Sequence, residues 1–138
     1  MTDISEPIRL PALEPHTYAF WTSGSRGALE ICQCRDCARY IHPPQPMCPH
    51  CRSDAVIAQA VSGRGHVASY SVNYQPWVPG QVVPFVFAMV ALVEQRGLVL
   101  MTRLVHCAVE QVYIGMSVRV FFEQHEDVWL PLFEPEAA

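Results

Sequence analysis

Cys34-Arg35-Asp36-Cys37 and Cys48-Pro49-His50-Cys51 form two C-x2-C pairs separated by ten residues, and the rest of the chain is read outward from them. A C-x2-C turn aims two thiolates at one point, and two such turns complete a tetrahedral site for Zn2+. The spacer between them carries Pro43, Pro44 and Pro46 and is long enough to set the second turn opposite the first. Four thiolates leave no open coordination position, so the expected zinc is structural and offers no Lewis acid to a substrate. Its expected effect is to fold a segment with too little core of its own. Iron in the same site, used for electron transfer, is the competing chemistry. Cys32, His42 and His50 are close enough to raise a mixed ligand set, but the four thiols are better spaced. Cys107 reads as a small buried apolar residue; a catalytic pair with His106 is disfavoured, since adjacent strand residues point to opposite faces.

Downstream of the cysteines the pattern is β. Val56–Ser62, His66–Tyr74, Phe85–Glu94, Leu98–Val105 and Ser117–Gln124 are rich in Val, Phe, Tyr and Leu. Turn signals at Ser62-Gly63, Arg96-Gly97 and Ile114-Gly115 separate them. The segment Phe85–Val93 is continuously apolar, as expected of a strand buried on both faces. Ser62-Gly63-Arg64-Gly65 reads as a hairpin turn, and Ala108–Val112 allows one helical turn. Five strands with one short helix fit a closed or nearly closed Greek-key barrel such as the OB-fold. The expected fold is mainly β, with a short N-terminal helix, a rubredoxin-like four-cysteine ribbon and a five-stranded OB barrel. The expected segments are 1–27 (arm and aromatic helix), 28–56 (zinc ribbon) and 57–138 (OB-fold).

Upstream, residues 1–13 read as a loosely held polar arm. Glu14–Ser23 is the expected helix, with Gly24 and Gly27 ending it. Its Tyr18, Phe20 and Trp21 serve either the protein's own core or a partner. The N-terminus lacks a basic region followed by an apolar core, so no signal peptide is expected. No run approaches the ~20 apolar residues needed to span a bilayer. Cysteines in such a chain read as metal ligands or free thiols, and a cytoplasmic location is expected.

Of the 138 residues only 16% are charged, and the net charge is −4. That is below the roughly 25% charged residues of an average soluble domain. Either a covered interface or a large core accounts for the shortfall. All nine basic residues are arginine. The acidic balance disfavours non-specific nucleic-acid binding, while a local arginine cluster remains able to hold a phosphorylated ligand. No phosphate-binding glycine loop, G-x-S-x-G elbow or H-E-x-x-H helix is present, and Glu123, Glu126 and Asp127 read as solvated turn residues.

The aromatic segment with Phe20-Trp21, the run from Cys34 to Cys51, Ser62–Gly65, Val83–Val86, Ile114–Val118 and Leu130–Pro135 occur in a fixed order. Together they resemble the zinc-ribbon OB-fold family over about residues 14–135. The resemblance implies a non-catalytic accessory subunit of a thiolase-like acyl-CoA enzyme, such as an acyltransferase, a thiolase or an aldolase of steroid side-chain breakdown. The catalytic groups then belong to the partner, and a hetero-oligomer is expected. It further implies that a CoA ester is shared with that partner. Arg64, Arg103 and Arg119 are the expected phosphate contacts, Tyr74 or Trp77 the expected adenine platforms, and each arginine also reads as a solvated strand charge. The family commonly carries two cations near its C-terminus where Leu132 and Glu134 stand here. A single-stranded nucleic-acid-binding module is the alternative, since OB-folds and ribbons both serve that role.

Overall fold

The computed structural model describes residues 9–136; the arm expected over residues 1–13 lies partly outside them. The helix α1 spans Tyr18–Thr22, shorter than expected, because residues 15–17 form a turn in which the Tyr18 N–H donates to the Glu14 carbonyl at 2.8 Å. A 3-10 turn, Ser23–Arg26, continues it and stops at Gly27, whose φ is 76°. Gly24 therefore does not end the helix. It lets the backbone pack on the barrel, since a Cβ there would overlap the Trp129 Cβ and the Phe122 ring.

Strands β1 (Glu30–Cys34), β2 (Tyr40–Ile41) and β3 (Val56–Ala60) form one antiparallel sheet in the order β2-β1-β3. Five further strands close a barrel: β4 (Arg64–Asn73), β5 (Phe85–Leu92), β6 (Val99–Leu104), β7 (Ser117–His125) and β8 (Val128–Pro135). The barrel order is β4-β5-β6-β8-β7, with β7 returning to β4. This corrects the expected strand membership. Val56–Ala60 pairs with β1, and the fifth barrel strand is Val128–Pro135, joined to β7 by a tight turn in which Glu126 has φ 58°. β-propensity marks a strand without naming its partner, which misplaces Val56–Ala60, and Pro131 within Val128–Pro135 hides the fifth barrel strand.

Ser62–Gly65 is likewise not a hairpin, because β3 and β4 lie in different sheets. It is the crossover into the barrel, and a Cβ at Gly65 would overlap the Ala91 carbonyl oxygen. The expected helical turn is a 3-10 turn at Val109–Gln111.

Closure depends on a short parallel contact between β6 and β8, registered at Leu104 and Phe133. There the Val105 N–H donates to the Phe133 carbonyl at 2.8 Å, and the Thr102 hydroxyl donates to the Pro131 carbonyl at 2.8 Å. The core combines Val67, Val86, Val90, Leu100, Val118 and Phe133 of the barrel with Phe20, Leu29 and Ile31 from upstream. The start of the ribbon thus packs into the barrel core, while Cys34, Ile41 and Cys48 form a second, small cluster at the metal site. Along β5 burial alternates, so the expectation of a strand covered on both faces fails. Its apolar outer side chains, including Phe87 at 42% exposure, form one wall of a large cleft.

Candidate metal centre and flanking surfaces

The two C-x2-C turns are near copies of one another. In the first, the Cys34 N–H donates to the Arg39 carbonyl and the Ala38 N–H to the Cys34 carbonyl, at 2.9 and 2.8 Å. In the second, the Cys48 N–H donates to the Ser53 carbonyl and the Arg52 N–H to the Cys48 carbonyl, both at 2.8 Å. Ala38 and Arg52, equivalent in the two turns, share a left-handed φ of 66°. This folds each loop back so that its pair of sulfurs faces the other pair.

The sulfurs of Cys34, Cys37, Cys48 and Cys51 all lie within 4.8 Å of one another. Cys34 and Cys51 are 3.5 Å apart, and Cys37 and Cys48 are 3.7 Å apart. A tetrahedron with Zn–S bonds of about 2.3 Å has edges near ~3.8 Å, so the donor set fits Zn2+. The backbone favours thiolates. The Cys51 and His50 N–H groups help lower the Cys48 thiol to about 7, and the Cys37 N–H lowers Cys34. Cys51 is pushed up to about 12: the Ser53 N–H favours its thiolate, but the Cys34 thiol and burial outweigh it. Four adjacent thiols resist joint ionisation unless a dication shares their charge. Cys32 remains outside the set, its thiol raised by burial. His42 also stands apart: its ring packs 4.8 Å from Phe20, and burial pushes it down to about 4, leaving it neutral.

The other anticipated residues are scattered. Arg64 and Arg119 face each other across β4 and β7, a like-charge pairing that costs stability unless neutralised. Each has a carboxylate: Arg64 meets Glu136 and Arg119 meets Glu134, both at 2.8 Å. Arg103 lies elsewhere, its guanidinium 3.9 Å from the centroid of the Phe85 ring on the cleft wall. Tyr74 and Trp77 are exposed, and the Trp77 indole N–H donates to Asn73 Oδ1 at 2.9 Å. Of the three N-terminal aromatics, Phe20 is only 5% exposed and belongs to the core, Trp21 lines the cleft, and Tyr18 is exposed.

Glu134 also meets His106 Nδ1 at 2.6 Å, and these contacts hold its carboxyl below the ordinary value. A depressed folded-state pKa stabilises above the unfolded value and is lost as pH falls through the folded one. Glu134→Gln is therefore expected to lower the urea midpoint slightly at pH 7, and the gap to wild type should close as acid protonates the carboxyl. A gap that persists undiminished in acid contradicts this assignment.

The cleft has a volume of about 1030 Å3 and lies between α1, the His42–Pro44 segment and the outer faces of β5, β6 and β8. Its walls are largely apolar, with Phe87 and Met101 well exposed. Sequence reading missed it because an apolar strand run looks the same whether its second face meets core or cleft. Sequence reading also missed Gln95, whose side-chain amide pairs with both the N–H and the carbonyl of Tyr40, at 2.8 and 3.1 Å. Nothing local signals a contact between residues so far apart.

Comparison with known proteins agrees with this architecture. The family model described as the ChsH2 rubredoxin-like zinc ribbon domain matches residues 21–56, and the ChsH2 C-terminal OB-fold domain matches residues 58–123. A solved chain of the Ltp2-ChsH2(DUF35) aldolase superposes with a TM-score of 0.81 at 34% identity, covering 91% of this chain and 98% of that one. The chain belongs to the ChsH2-type DUF35 family. It is also similar to the probable enoyl-CoA hydratase alpha subunit of Thermomonospora curvata, with 38% identity over 85% of this chain and 37% of that protein. The 3-oxo-4,17-pregnadiene-20-carboxyl-CoA hydratase alpha subunit of Mycobacterium tuberculosis is 34% identical over 91% of this chain and 40% of its own length. The chain thus spans about two-fifths of these two subunits. Among the described residues, no helix is long and apolar enough to cross a membrane.

Proposed function

We propose that this DUF35-family chain is a non-catalytic accessory subunit or module of a thiolase-like acyl-CoA enzyme acting in lipid or steroid metabolism. It scaffolds its catalytic partner and helps hold or pass on the CoA ester. The observation that carries this reading is the likeness, over nearly all of both chains, to the DUF35 chain of an Ltp2-ChsH2 aldolase. Two further features support it. The four-thiol site leaves a zinc ion no position for substrate. The cleft is walled largely by apolar side chains, among them exposed Phe87 and Met101, which suits a covering partner. Arg103 at the cleft wall, with exposed Tyr74 and Trp77, is the proposed CoA-facing set. Arg64 and Arg119 join it only by exchanging their present carboxylate partners for phosphate.

Affinity purification of the tagged full chain from its native cells tests the reading. A thiolase-like or hydratase-like protein eluting at a fixed ratio is the expected result. Elution alone sinks the proposal. Micromolar, salt-sensitive binding of a mixed-sequence oligonucleotide, read by fluorescence titration, would replace it with the nucleic-acid reading.

A further inference from the structure

A second, polar cavity of about 390 Å3 lies where the ribbon meets the β5–β6 hairpin. Its lining includes Arg39, Gln45, His50, Gln95 and Arg96, and contains no carboxylate. The bidentate clamp between Gln95 and Tyr40 fixes the hairpin to the ribbon. Arg39 precedes Tyr40 and Arg96 follows Gln95, so the same clamp sets one arginine on each wall.

Among the described residues, Arg26, Arg64 and Arg119 each have a carboxylate partner, whereas Arg39 and Arg96, like Arg35 and Arg52, have none. Glu94, the acidic residue nearest Arg96 in sequence, accepts the Ser62 N–H at 2.8 Å. In the hairpin turn, Gly97 adopts φ 82°, and the N–H groups of Arg96 and Gly97 meet no acceptor among the described residues. Two arginines lining one cavity that holds no carboxylate, with free backbone donors in the adjoining hairpin turn, suit a multiply charged oxyanion.

We infer that this cavity binds the phosphate group of a small molecule, with Arg39 and Arg96 as its principal contacts. The site stands on its own geometry, whether or not a thiolase-like partner is found. A four-thiolate zinc centre carries net negative charge, and Cys48 borders the cavity. Service to that centre is the competing role for Arg39, and the test separates the two.

The zinc-loaded full chain is titrated calorimetrically with inorganic phosphate, pyrophosphate and adenosine 3′,5′-bisphosphate. Saturable binding at a single site is expected, weakened at least about tenfold by Arg39→Gln and by Arg96→Gln, with zinc content unchanged. Arg26→Gln, which breaks an ion pair away from the cavity, should bind as wild type does. Tighter binding of the bisphosphate than of phosphate would assign the site to a phosphorylated cofactor, and equal binding would assign it to the inorganic ion. The inference fails if none of the three saturates, if both cavity variants bind as wild type, or if Arg39→Gln loses zinc while Arg96→Gln binds phosphate normally.

Discussion

Replacing Cys34 and Cys37 together by serine is expected to abolish zinc binding and unfold the ribbon. Around the metal site only Cys34, Ile41 and Cys48 are buried, so two of the three core positions are themselves ligands. Such a segment draws its folding free energy from the metal, and structural zinc sites supply an apparent ~10–16 kcal/mol. That is comparable with the ~5–15 kcal/mol stability of a whole domain. The damage should reach the barrel, because Leu29 and Ile31 at the start of the ribbon are inserted into the barrel core. Metal analysis should find zinc falling from one per chain to none. Amide exchange should show β1–β3 losing protection, with a smaller loss across the barrel. Zinc binding requires thiolates, so wild type should also release its metal as pH falls. A double variant that keeps the wild-type urea midpoint would show that the ribbon is not built by its metal.

Phe133→Ala is the second large effect. The side chain is fully buried on β8, at the residue where the parallel contact with β6 closes the barrel. Removing a buried aromatic costs about 3–5 kcal/mol, through lost transfer free energy and the cavity left behind. The urea midpoint should fall sharply at unchanged slope, since the surface exposed on unfolding is nearly the same. Phe87→Ala, made on the cleft side of β5, is the control and should cost less than about 1 kcal/mol. Equal losses at the two positions would contradict the assignment of inner and outer barrel faces.

These cases show what the sequence carries and where it stops. The metal centre was legible because its chemistry is local: the spacing within each turn sets the knuckle, and proline in the spacer favours the reversal. The barrel strands were legible through β-branched and aromatic runs, and the turns through glycine. Strand partners were not legible. Val56–Ala60 reads as β but does not name its partner in the ribbon, and Val128–Pro135, interrupted by Pro131, gives no strand signal until it pairs with β7. Arg64 and Arg119 looked like free cations because Glu134 and Glu136 reach them only once β8 and the segment after it are in place. Phe20 looked available to a partner because an exposed and a buried aromatic are written with the same letter. The cavity between ribbon and hairpin depends on one glutamine reaching across 55 positions of chain, which no local pattern reveals.

The proposed function puts the catalytic partner on the open apolar cleft. Phe87→Glu combined with Met101→Glu tests it most directly, since both side chains are exposed on the cleft walls and replacing them should leave the core intact. The tagged variant is purified from native cells beside wild type, with zinc content and melting curve checked on each. The expected result is a variant that keeps one zinc and its fold while its thiolase-like companion disappears from the eluate. A companion retained at the wild-type ratio would contradict it.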